Sequence, residues 1–590
     1  MSLRHCPRKA ALTAAAASIV LAACGRGAVA GGSAGTTAAA PGSYDIVISN
    51  GHVVDGTGNA WFAGDVGIRG DRIATIAPAG ALARAQATTR IDAAGKVVAP
   101  GFIDIQGQSV FQFTVGDGRV VGKVSQGITT EILGEGTTPA PLNAAMVALL
   151  ESQRGSRDDS LAATAYGTFT GPHGFGRWLD AMEQHGTSVN VGSFLGAATV
   201  RVYAKGYTRG DPSPAELDTM RAVTRNAMQD GAFGIASALI YPPGNFATTG
   251  ELVEMAKAMA PLGGVYITHM RSEADGYLEA IDEVLRIGRE GGVPTEIYHL
   301  KAGGVRNWPK AAQAVAKIDS ARAAGQDIAA DMYPYTAGGT SLSACTPPWA
   351  TEGDKLLDRL RDPATRAKII AEMQAPRNSW ENLCALATPA GIVTAGFEHP
   401  DWKQYEGKRL AEIAADRRTD WANTIVDVLL GTEGRVGMLV FMMSEPNVEM
   451  QMRQPWMKFG TDADGLDPDS AKGLAHPRSY GTFPRILGHY VRERRVMTLE
   501  EAVRKMTSAV ANRLSIRDRG QLREGFLADV VVFDPATIID NATYTDPHRL
   551  STGVSTVIVN GVRVWSDGKH TGAKPGRVVR GPGHIAAVAR

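Results

Sequence analysis

The sequence predicts an α/β protein, a (β/α)₈ TIM-type barrel with a small β-sandwich domain formed from both chain ends. Short β segments occur near both ends of the 590-residue chain, and the middle alternates apolar strand-like runs with amphipathic helical stretches. Repeated βα units over such a length favour a barrel over an open sheet. No helical stretch opens with a glycine-rich dinucleotide turn or a phosphate loop, which argues against a nucleotide-binding sheet.

Both chain ends carry the pattern of paired strands. Residues 44–48 alternate toward a strand, and Asn50 with Gly51 predicts a tight turn into the next one. Apolar segments at 528–534 and 556–565 repeat this pattern near the C-terminus, again with an Asn-Gly turn. We therefore predict a small β-sandwich domain from residues 44–99 plus 521–590, and a barrel from residues 100–520.

One stretch of the barrel breaks the βα rhythm. Residues 342–439 show no clear strand spacing for much of their length. Long irregular stretches within a compact domain are commonly functional lids. We predict that part of this segment is an insertion over the barrel mouth.

The N-terminus reads as a targeting segment that is not part of the fold. Basic residues precede a short run of apolar and small residues at 10–23, which ends in Leu-Ala-Ala directly before Cys24. The run is too short for a permanent membrane span and indicates a signal peptide over residues 1–23. The ending resembles the bacterial lipobox, which implies diacylglycerol on the sulfur of Cys24; the alternative is a plain secretory signal with an incidental cysteine.

The residues after Cys24 have the composition of a tether. Residues 24–43 are rich in Gly, Ala, Ser and Thr and carry almost no charge, which is typical of a flexible linker. We expect a lipid-anchored protein of the bacterial cell envelope, periplasmic or outer-membrane facing, that contacts the membrane through its anchor only.

The composition argues against nucleic acid as a partner and leaves two cysteines whose pairing is open. Hydrophobic residues make up 44% of the chain, charged residues 21%, and the net charge is +1. This balance offers no basic surface for nucleic acid. The predicted mature body contains only Cys345 and Cys384 besides the lipidated cysteine, and a disulfide and two free thiols are equally compatible with the sequence.

Four apolar runs end in side chains that can bind a metal or move a proton. Residues 129–134 lead into Glu135, 265–268 into His269, 296–298 into His299, and 456–461 into Asp462. In a parallel barrel the carboxyl ends of the strands converge on one face, where catalytic residues lie. We therefore expect these four side chains to lie close together.

Glu135, His269 and His299 form a two-histidine, one-carboxylate set suited to Zn²⁺ with a position left open for water. Such an ion lowers the pKa of bound water from about 15.7 to about 7, so that hydroxide is available at neutral pH. Asp462 would accept the water's proton and pass it to the leaving nitrogen. Taken singly, each histidine is more often a core or loop residue, and Asp464 is an alternative to Asp462.

Longer blocks of the sequence carry a family resemblance. They lie at residues 100–104, 241–244, 268–273, 331–337, 476–485 and 506–508. With the strand-end histidines, these blocks resemble the D-aminoacylase (N-acyl-D-amino-acid deacylase) family of the amidohydrolase superfamily, over about residues 44–581. The resemblance implies a metal-dependent hydrolase barrel.

The resemblance implies a role for each site residue. The family's metal ligands on the fifth and sixth strands correspond to His269 and His299, and its catalytic aspartate to Asp462. The second-strand ligand is a cysteine in the family, and Glu135 stands at that position here. Three further residues match those that bind the substrate carboxylate, Lys301, Tyr333 and Arg478, and a cationic fork, an ammonium and a phenol suit that group.

The first strand departs from the superfamily pattern. It normally ends in His-x-His, and here Gln106 and Gln108 replace the two histidines. Glutamine is a poor zinc ligand, so we expect one divalent metal instead of two, with Zn²⁺ favoured. The carboxylate of Glu135 shifts the preference slightly toward Mn²⁺ or Co²⁺.

The expected reaction is hydrolysis of the amide bond of N-acyl-D-amino acids by a metal-bound hydroxide, releasing a carboxylate and a free amino acid. The D configuration rests on the resemblance alone. Two alternatives stay open at this point. One is another amidohydrolase, acting on cyclic amides or dipeptides, because fold does not fix the substrate. The other is a non-catalytic envelope binding lipoprotein, which the two glutamines motivate.

Overall fold

The structure is a computed structural model that describes residues 43–152, 157–376, 380–397 and 399–586. The predicted signal peptide, the predicted lipidation site Cys24 and the tether as far as residue 42 lie outside the described residues. No helix in the described ranges is both long and apolar enough to span a membrane.

Twenty-one strands are present in the described residues. In chain order they are β1 (Tyr44–Val53), β2 (Phe62–Arg69), β3 (Arg72–Pro78), β4 (Ala87–Asp92), β5 (Val97–Pro100), β6 (Phe102–Asp104), β7 (Ile128–Leu133), β8 (Asn190–Ser193), β9 (Leu195–Gly196), β10 (Gly234–Ala238), β11 (Val265–His269), β12 (Thr295–Ile297), β13 (Ile328–Met332), β14 (Ala337–Ser341), β15 (Ile392–Ala395), β16 (Gly437–Phe441), β17 (Met457–Phe459), β18 (Val530–Phe533), β19 (Val554–Val559), β20 (Val562–Ser566) and β21 (Lys569–His570).

The α-helices of the same ranges lie mostly between the parallel strands. They are α1 (Val110–Thr114), α2 (Val121–Val124), α3 (Ala144–Ser152), α4 (Arg157–Tyr166), α5 (Gly174–His185), α6 (Ala197–Lys205), α7 (Pro214–Asp230), α8 (Thr249–Met259), α9 (Tyr277–Gly291), α10 (Lys310–Ala323), α11 (Leu356–Arg361), α12 (Pro363–Met373), α13 (Leu383–Ala387), α14 (Leu410–Asp416), α15 (Trp421–Gly431), α16 (Glu445–Met452), α17 (Arg478–Arg485), α18 (Leu499–Met506) and α19 (Ser508–Arg513).

Both chain ends contribute to one mixed sheet of nine strands. Its order is β21-β20-β19-β18-β5-β1-β2-β3, with β4 paired to β1. Strand β5 joins the halves, because one edge pairs parallel with β1 and the other antiparallel with β18. The strands therefore belong to one hydrogen-bonded sheet, and not to the two separate sheets of the predicted sandwich. Ile48, Val66, Val530 and Ile558 are buried together in its core.

The parallel strands form two ladders, one of six strands (β17-β13-β12-β11-β10-β9) and one of three (β6-β7-β8). Backbone hydrogen bonds connect the ladders at two places. The amide of Phe233 donates to Ser193 O at 3.1 Å, and the amide of Asp462 donates to Gln106 O at 2.7 Å. A parallel bridge between Gly107 and Ala463 follows the second contact. This arrangement places the loops after β6, β7, β11, β12 and β17 next to one another.

The segment predicted as an insertion forms a small sheet and a separate core together with the residues directly on either side of it. Strands β14 and β15 pair antiparallel with β16, and the short helices around them enclose a separate group of buried apolar side chains. Cys345 and Cys384 form a disulfide within this segment. Of the two possibilities that the sequence left open, the structure therefore has the disulfide.

Candidate functional site

Glu135 lies two residues beyond the end of β7, in a turn that only glycine can flank. Gly134 and Gly136 have φ angles of 113° and 71°, which side-chain-bearing residues rarely adopt. A Cβ atom on Gly134 would lie 2.4 Å from Phe194 O, and one on Gly136 would lie 2.7 Å from the Cβ of Ala238. The two glycines thus let the turn pass close to β9 and β10 while Glu135 points into the site.

His269 and His299 follow neighbouring parallel strands. His269 is the last residue of β11, and His299 comes two residues after β12, which pairs with β11. His299 has a φ of 33°, an uncommon value for a residue with a side chain. The carboxylate of Asp331 stabilises this conformation, since its Oδ1 accepts the backbone N–H of His299 at 2.9 Å. Both imidazoles are buried, with ring centroids 4.5 Å apart.

These three side chains meet at one carboxylate oxygen. Glu135 Oε1 lies 3.3 Å from His269 Nδ1 and 3.2 Å from His299 Nε2, and the three atoms lie within 4.8 Å of one another. One carboxylate oxygen and two imidazole nitrogens converging in a buried place are a donor set that suits Zn²⁺ and similar divalent ions. The cluster is a candidate metal site.

Asp462 faces the cluster from the other side. It lies three residues beyond β17 with a φ of 50°, and its backbone N–H is held by Gln106 O. Its Oδ1 accepts from Gln108 Nε2 at 3.2 Å, and Gln108 Nε2 also donates to Glu135 Oε2 at 2.8 Å. One side-chain amide therefore links Asp462 to Glu135. Burial raises the pKa of Asp462 above its ordinary value, although Arg478 opposes this.

The three residues predicted to bind a carboxylate line the same cavity. Nη1 of Arg478 lies 2.6 Å from Asp462 Oδ2, and its guanidinium stacks over the Tyr333 ring at 4.8 Å. Lys301 Nζ lies 5.6 Å from the centroid of the same ring. Both cations are buried, so their charges act in a place from which most water is excluded.

Glu273 ends the sequence block 268–273, but nothing in the sequence pattern assigns it a role at the site. Its Oε1 accepts from Lys301 Nζ at 2.7 Å and lies 2.9 Å from His299 Nδ1. Its Oε2 lies 3.6 Å from His269 Nε2. Glu273 thus contacts the outward-facing nitrogens of both imidazoles. The available signal was its spacing, four residues after His269 in the loop that follows β11.

The charges of the cluster shift the titration of its members. Burial and the nearby ammonium of Lys301 lower the pKa of His299, but the carboxylates of Glu273 and Glu135 outweigh them and raise it to about 10. Burial raises the pKa of Glu135, yet the two histidines bring it well below its ordinary value. The carboxylates around His299 thus favour its protonated form, and the two imidazoles favour the ionised form of Glu135.

The site opens into a cavity of about 440 Å³ that is lined by all seven residues that the sequence predicts as metal ligands, base and carboxylate binders. Tyr241 borders it, with its ring centroid 5.2 Å from that of His269. The rest of the wall includes apolar side chains from the insertion and its surroundings, Ile240, Leu383, Met438, Leu439, Val440 and Met442. The cavity thus combines a charged floor with a partly apolar wall.

Comparison with known proteins gives consistent matches. Residues 450–565 match the Amidohydro_3 model of the amidohydrolase family. The chain is 34% identical to D-aminoacylase of Alcaligenes xylosoxydans xylosoxydans over 541 residues, which cover 91% of this chain and 97% of the relative.

Two solved structures are similar over the same span. One is N-acyl-D-glutamate deacylase from Bordetella bronchiseptica, complexed with zinc and a phosphonate mimic of the tetrahedral intermediate (32% identity, TM-score 0.73). The other is a D-aminoacylase described by a binuclear metal centre with one-metal activation and second-metal attenuation (33% identity, TM-score 0.73). Each match covers 91% of this chain and 100% of the other.

Proposed function

Since this chain belongs to the family of D-aminoacylases and N-acyl-D-amino-acid deacylases, hydrolases that act on linear amides, we propose that it hydrolyses the amide bond of small N-acyl-D-amino acids with the help of one divalent cation, Zn²⁺ by preference. The observation that carries this proposal is the meeting of a three-donor cluster, a carboxylate and two cations in one cavity. The D configuration is carried by the relatives.

Glu135, His269 and His299 would hold the cation. When bound, it would supply Lewis-acid activation of water and polarise the amide carbonyl. Glu273 would help to orient the two imidazoles, because its carboxylate lies 2.9 Å from His299 Nδ1 and 3.6 Å from His269 Nε2, as carboxylates commonly do for metal-binding histidines. This contact would favour the ring orientation in which His269 Nδ1 and His299 Nε2 face the site.

Asp462 would move the proton. With a raised pKa it can take the proton from the attacking water and deliver it to the leaving nitrogen. The oxygen of the water forms a bond to the amide carbon, and the C–N bond then breaks as the nitrogen takes up the proton. The products are a carboxylate and the free amino acid. A group that first accepts and then donates a proton works best with a pKa near the operating pH, and burial shifts the pKa of Asp462 upward in that direction.

Arg478, Lys301 and Tyr333 would hold the substrate's carboxylate. In the structure Arg478 contacts Asp462, and an incoming carboxylate would compete for its guanidinium. Substrate binding would thereby leave Asp462 with fewer contacts at the moment it is needed as a base. The buried position of the cations gives this contact its strength.

A screen of N-acetyl D- and L-amino acids against protein reconstituted with Zn²⁺ tests the proposal. We expect turnover of D substrates, little turnover of L substrates, and loss of activity in the Asp462→Asn variant with metal binding retained. Hydrolysis of neutral or cyclic amides, combined with no activity on acyl amino acids, would instead favour another amidohydrolase. A folded protein that binds no metal and hydrolyses nothing would favour the binding lipoprotein.

We propose further that the two parallel ladders together form the eight-stranded barrel that the sequence predicts. Eight positions around the ring are accounted for if β8 and β9 count as one broken strand. The backbone contacts Phe233–Ser193 and Asp462–Gln106 support this, because they link the ladders at both ends. A crystal structure would test it through the strand pairing at these two seams.

We also propose that the mature chain is anchored to the cell envelope through a diacylglycerol on Cys24. The disulfide between Cys345 and Cys384 supports an oxidising compartment. Metabolic labelling with palmitate tests the anchor. We expect label on the wild-type chain and none on Cys24→Ala, which should be released from the membrane fraction; an unlabelled wild-type chain would contradict the anchor.

A further inference from the structure

Gln106 and Gln108 both direct their side chains at the carboxylate of Glu135. Nε2 of Gln106 lies 2.6 Å from Glu135 Oε2, and Nε2 of Gln108 lies 2.8 Å from the same oxygen. The other oxygen of Glu135 faces the two imidazoles. The carboxylate is therefore divided, with one oxygen for the amides and one for the candidate metal site.

The amide orientation follows from the neighbours. An ionised carboxylate only accepts hydrogen bonds, so each glutamine must present its NH₂ group to Glu135. Gln108 does the same toward Asp462, whose Oδ1 lies 3.2 Å from its Nε2. Two carboxylates side by side would attract a cation, but here a donor group occupies the space between them.

Gln106 also holds the backbone. Its carbonyl oxygen accepts the N–H of Asp462 at 2.7 Å, so this one residue after β6 contacts both Glu135 and Asp462. Gln106 is buried, and its Oε1 has no hydrogen-bond partner within the described part of the chain. A buried oxygen without a hydrogen-bond partner lowers the stability of the fold. We take this as a sign that the amide is oriented for the sake of its NH₂ group, which contacts Glu135.

We propose that Gln106 and Gln108 are positioning residues that restrict this centre to a single cation, by filling the place between Glu135 and Asp462 with amide donors. The amide nitrogen has no lone pair to offer a metal. The proposal rests on the proposed function and adds a regulatory consequence. The second-metal attenuation described for D-aminoacylase is absent from this chain, so its activity is insensitive to excess metal.

Metal titration of the wild-type chain is the first test. Apoprotein is titrated with Zn²⁺ by calorimetry, and the bound metal is counted by mass spectrometry after gel filtration. We expect one equivalent to bind tightly, and a large excess of Zn²⁺ to leave both the stoichiometry and the rate unchanged. A second equivalent of comparable affinity, or a rate that falls as it binds, would overturn the proposal.

The double substitution Gln106→His and Gln108→His tests the cause. It should admit a second equivalent of Zn²⁺ and make the rate fall in excess metal. Gln106→Leu with Gln108→Leu should keep one equivalent but weaken its binding by about 10- to 100-fold, because Glu135 loses both amide contacts. Gln112→Leu, in the nearby helix α1 and outside these contacts, is the matched control and should behave as wild type.

The two proposals fail in different ways. If the chain binds one ion but hydrolyses no acyl amino acid, the proposed function fails and the single-ion centre stands. If it hydrolyses these substrates but binds two ions, the proposed hydrolysis of acyl amino acids stands, and the single-ion centre fails. A histidine variant that folds, as judged by circular dichroism, and still binds one ion would show that the glutamines are not the barrier. Should that variant not fold, the wild-type titration alone decides.

Discussion

The guanidinium of Arg478 and the carboxylate of Asp462 lie in direct contact, 2.6 Å apart, and their side chains are only 8% and 13% exposed. The proposed roles of the two residues differ, since one binds the substrate's carboxylate and the other moves the proton. The substrate therefore has to displace an internal carboxylate. Removing one partner of a buried charge pair costs about 2–5 kcal/mol.

This contact predicts the effect of Arg478→Met. We expect kcat/KM for an N-acyl-D-amino acid to fall about 100-fold or more, in line with the loss of a buried charged contact. The methyl ester of the same substrate lacks the negative charge and should lose much less, so the preference for acid over ester should shrink. Steady-state kinetics on the pair of substrates measures this preference. An equal fall in kcat/KM for acid and ester would show that Arg478 acts only through its contact with Asp462 and does not bind the substrate's carboxylate.

Glu273 predicts a change in metal affinity. In Glu273→Gln the imidazole of His299 loses the negatively charged one of the two partners of its Nδ1, the other being the ammonium of Lys301, and we expect the dissociation constant for Zn²⁺ to rise about 10- to 100-fold. Competition with a chromogenic chelator measures the constant. Glu283→Gln is the control, since Glu283 pairs with Arg271 away from the imidazoles and should leave the constant unchanged. Equal constants for wild type and Glu273→Gln would show that Glu273 does not support the ligands.

Much of the site could be predicted because its residues follow strands of simple pattern. Glu135, His269, His299 and Asp462 each come directly after an apolar run, and parallel strands bring such positions to one edge. The structure brings the four together, and their roles stay predictions. Glu273 escaped because it lies in a loop, where no periodic pattern links it to the histidines. Only the path of the loop places it there.

The fold could be predicted as far as local pattern reaches. Strand segments at both chain ends were recognisable, but their assembly into one sheet depends on β5 pairing with β1 and β18 at once. The pairing of β5 with β18 joins residues more than 400 positions apart and leaves no trace in local periodicity. The disulfide is a similar case, because two cysteines in a sequence carry no information on their distance in the fold.

The disulfide predicts a loss of stability on removal. It closes a loop across 39 positions within the segment that forms its own core. We expect Cys345→Ala with Cys384→Ala to lower the free energy of unfolding by about 2–4 kcal/mol. Urea unfolding followed by circular dichroism measures this, and a reducing agent should shift the wild-type curve but not that of the variant. Coincident curves for oxidised wild type and variant would contradict it.

The buried ammonium of Lys123 and the carboxylates around it predict a second loss of stability. Lys123 Nζ lies 2.7 Å from Asp104 Oδ2, 2.6 Å from Thr461 Oγ1 and 3.4 Å from Glu131 Oε1, and its side chain is fully buried. Lys123→Met would leave two buried carboxylates without their cation, and we expect a loss of about 3–5 kcal/mol in unfolding free energy. The control Lys317→Met breaks a partly exposed pair and should cost about 0–1 kcal/mol. Similar losses for both variants would show that the charge of Lys123 does not stabilise the buried carboxylates.

Glu381 predicts a pH dependence of stability. Burial and the charge of Glu273 raise the pKa of Glu381 to about 7, although hydrogen bonds from the Ser272 hydroxyl and the Glu273 amide lower it. The ordinary pKa is 4.5, so the folded state binds the proton more tightly than the unfolded state. The resulting stabilisation is complete below about pH 4.5 and is lost as the pH rises through about 7.

Glu381→Gln removes this titration and keeps an oxygen for both hydrogen bonds. We expect the Tm of the variant relative to wild type to increase between pH 5 and pH 8, because only the wild type has to ionise a buried carboxyl group. Differential scanning fluorimetry over this range measures the difference. The control is Glu279→Gln, because Glu279 is exposed and lines the same cavity as Glu381. Its Tm relative to wild type should not change with pH over this range. A flat difference for Glu381→Gln as well would mean that its carboxylate is ionised in the folded protein throughout the range.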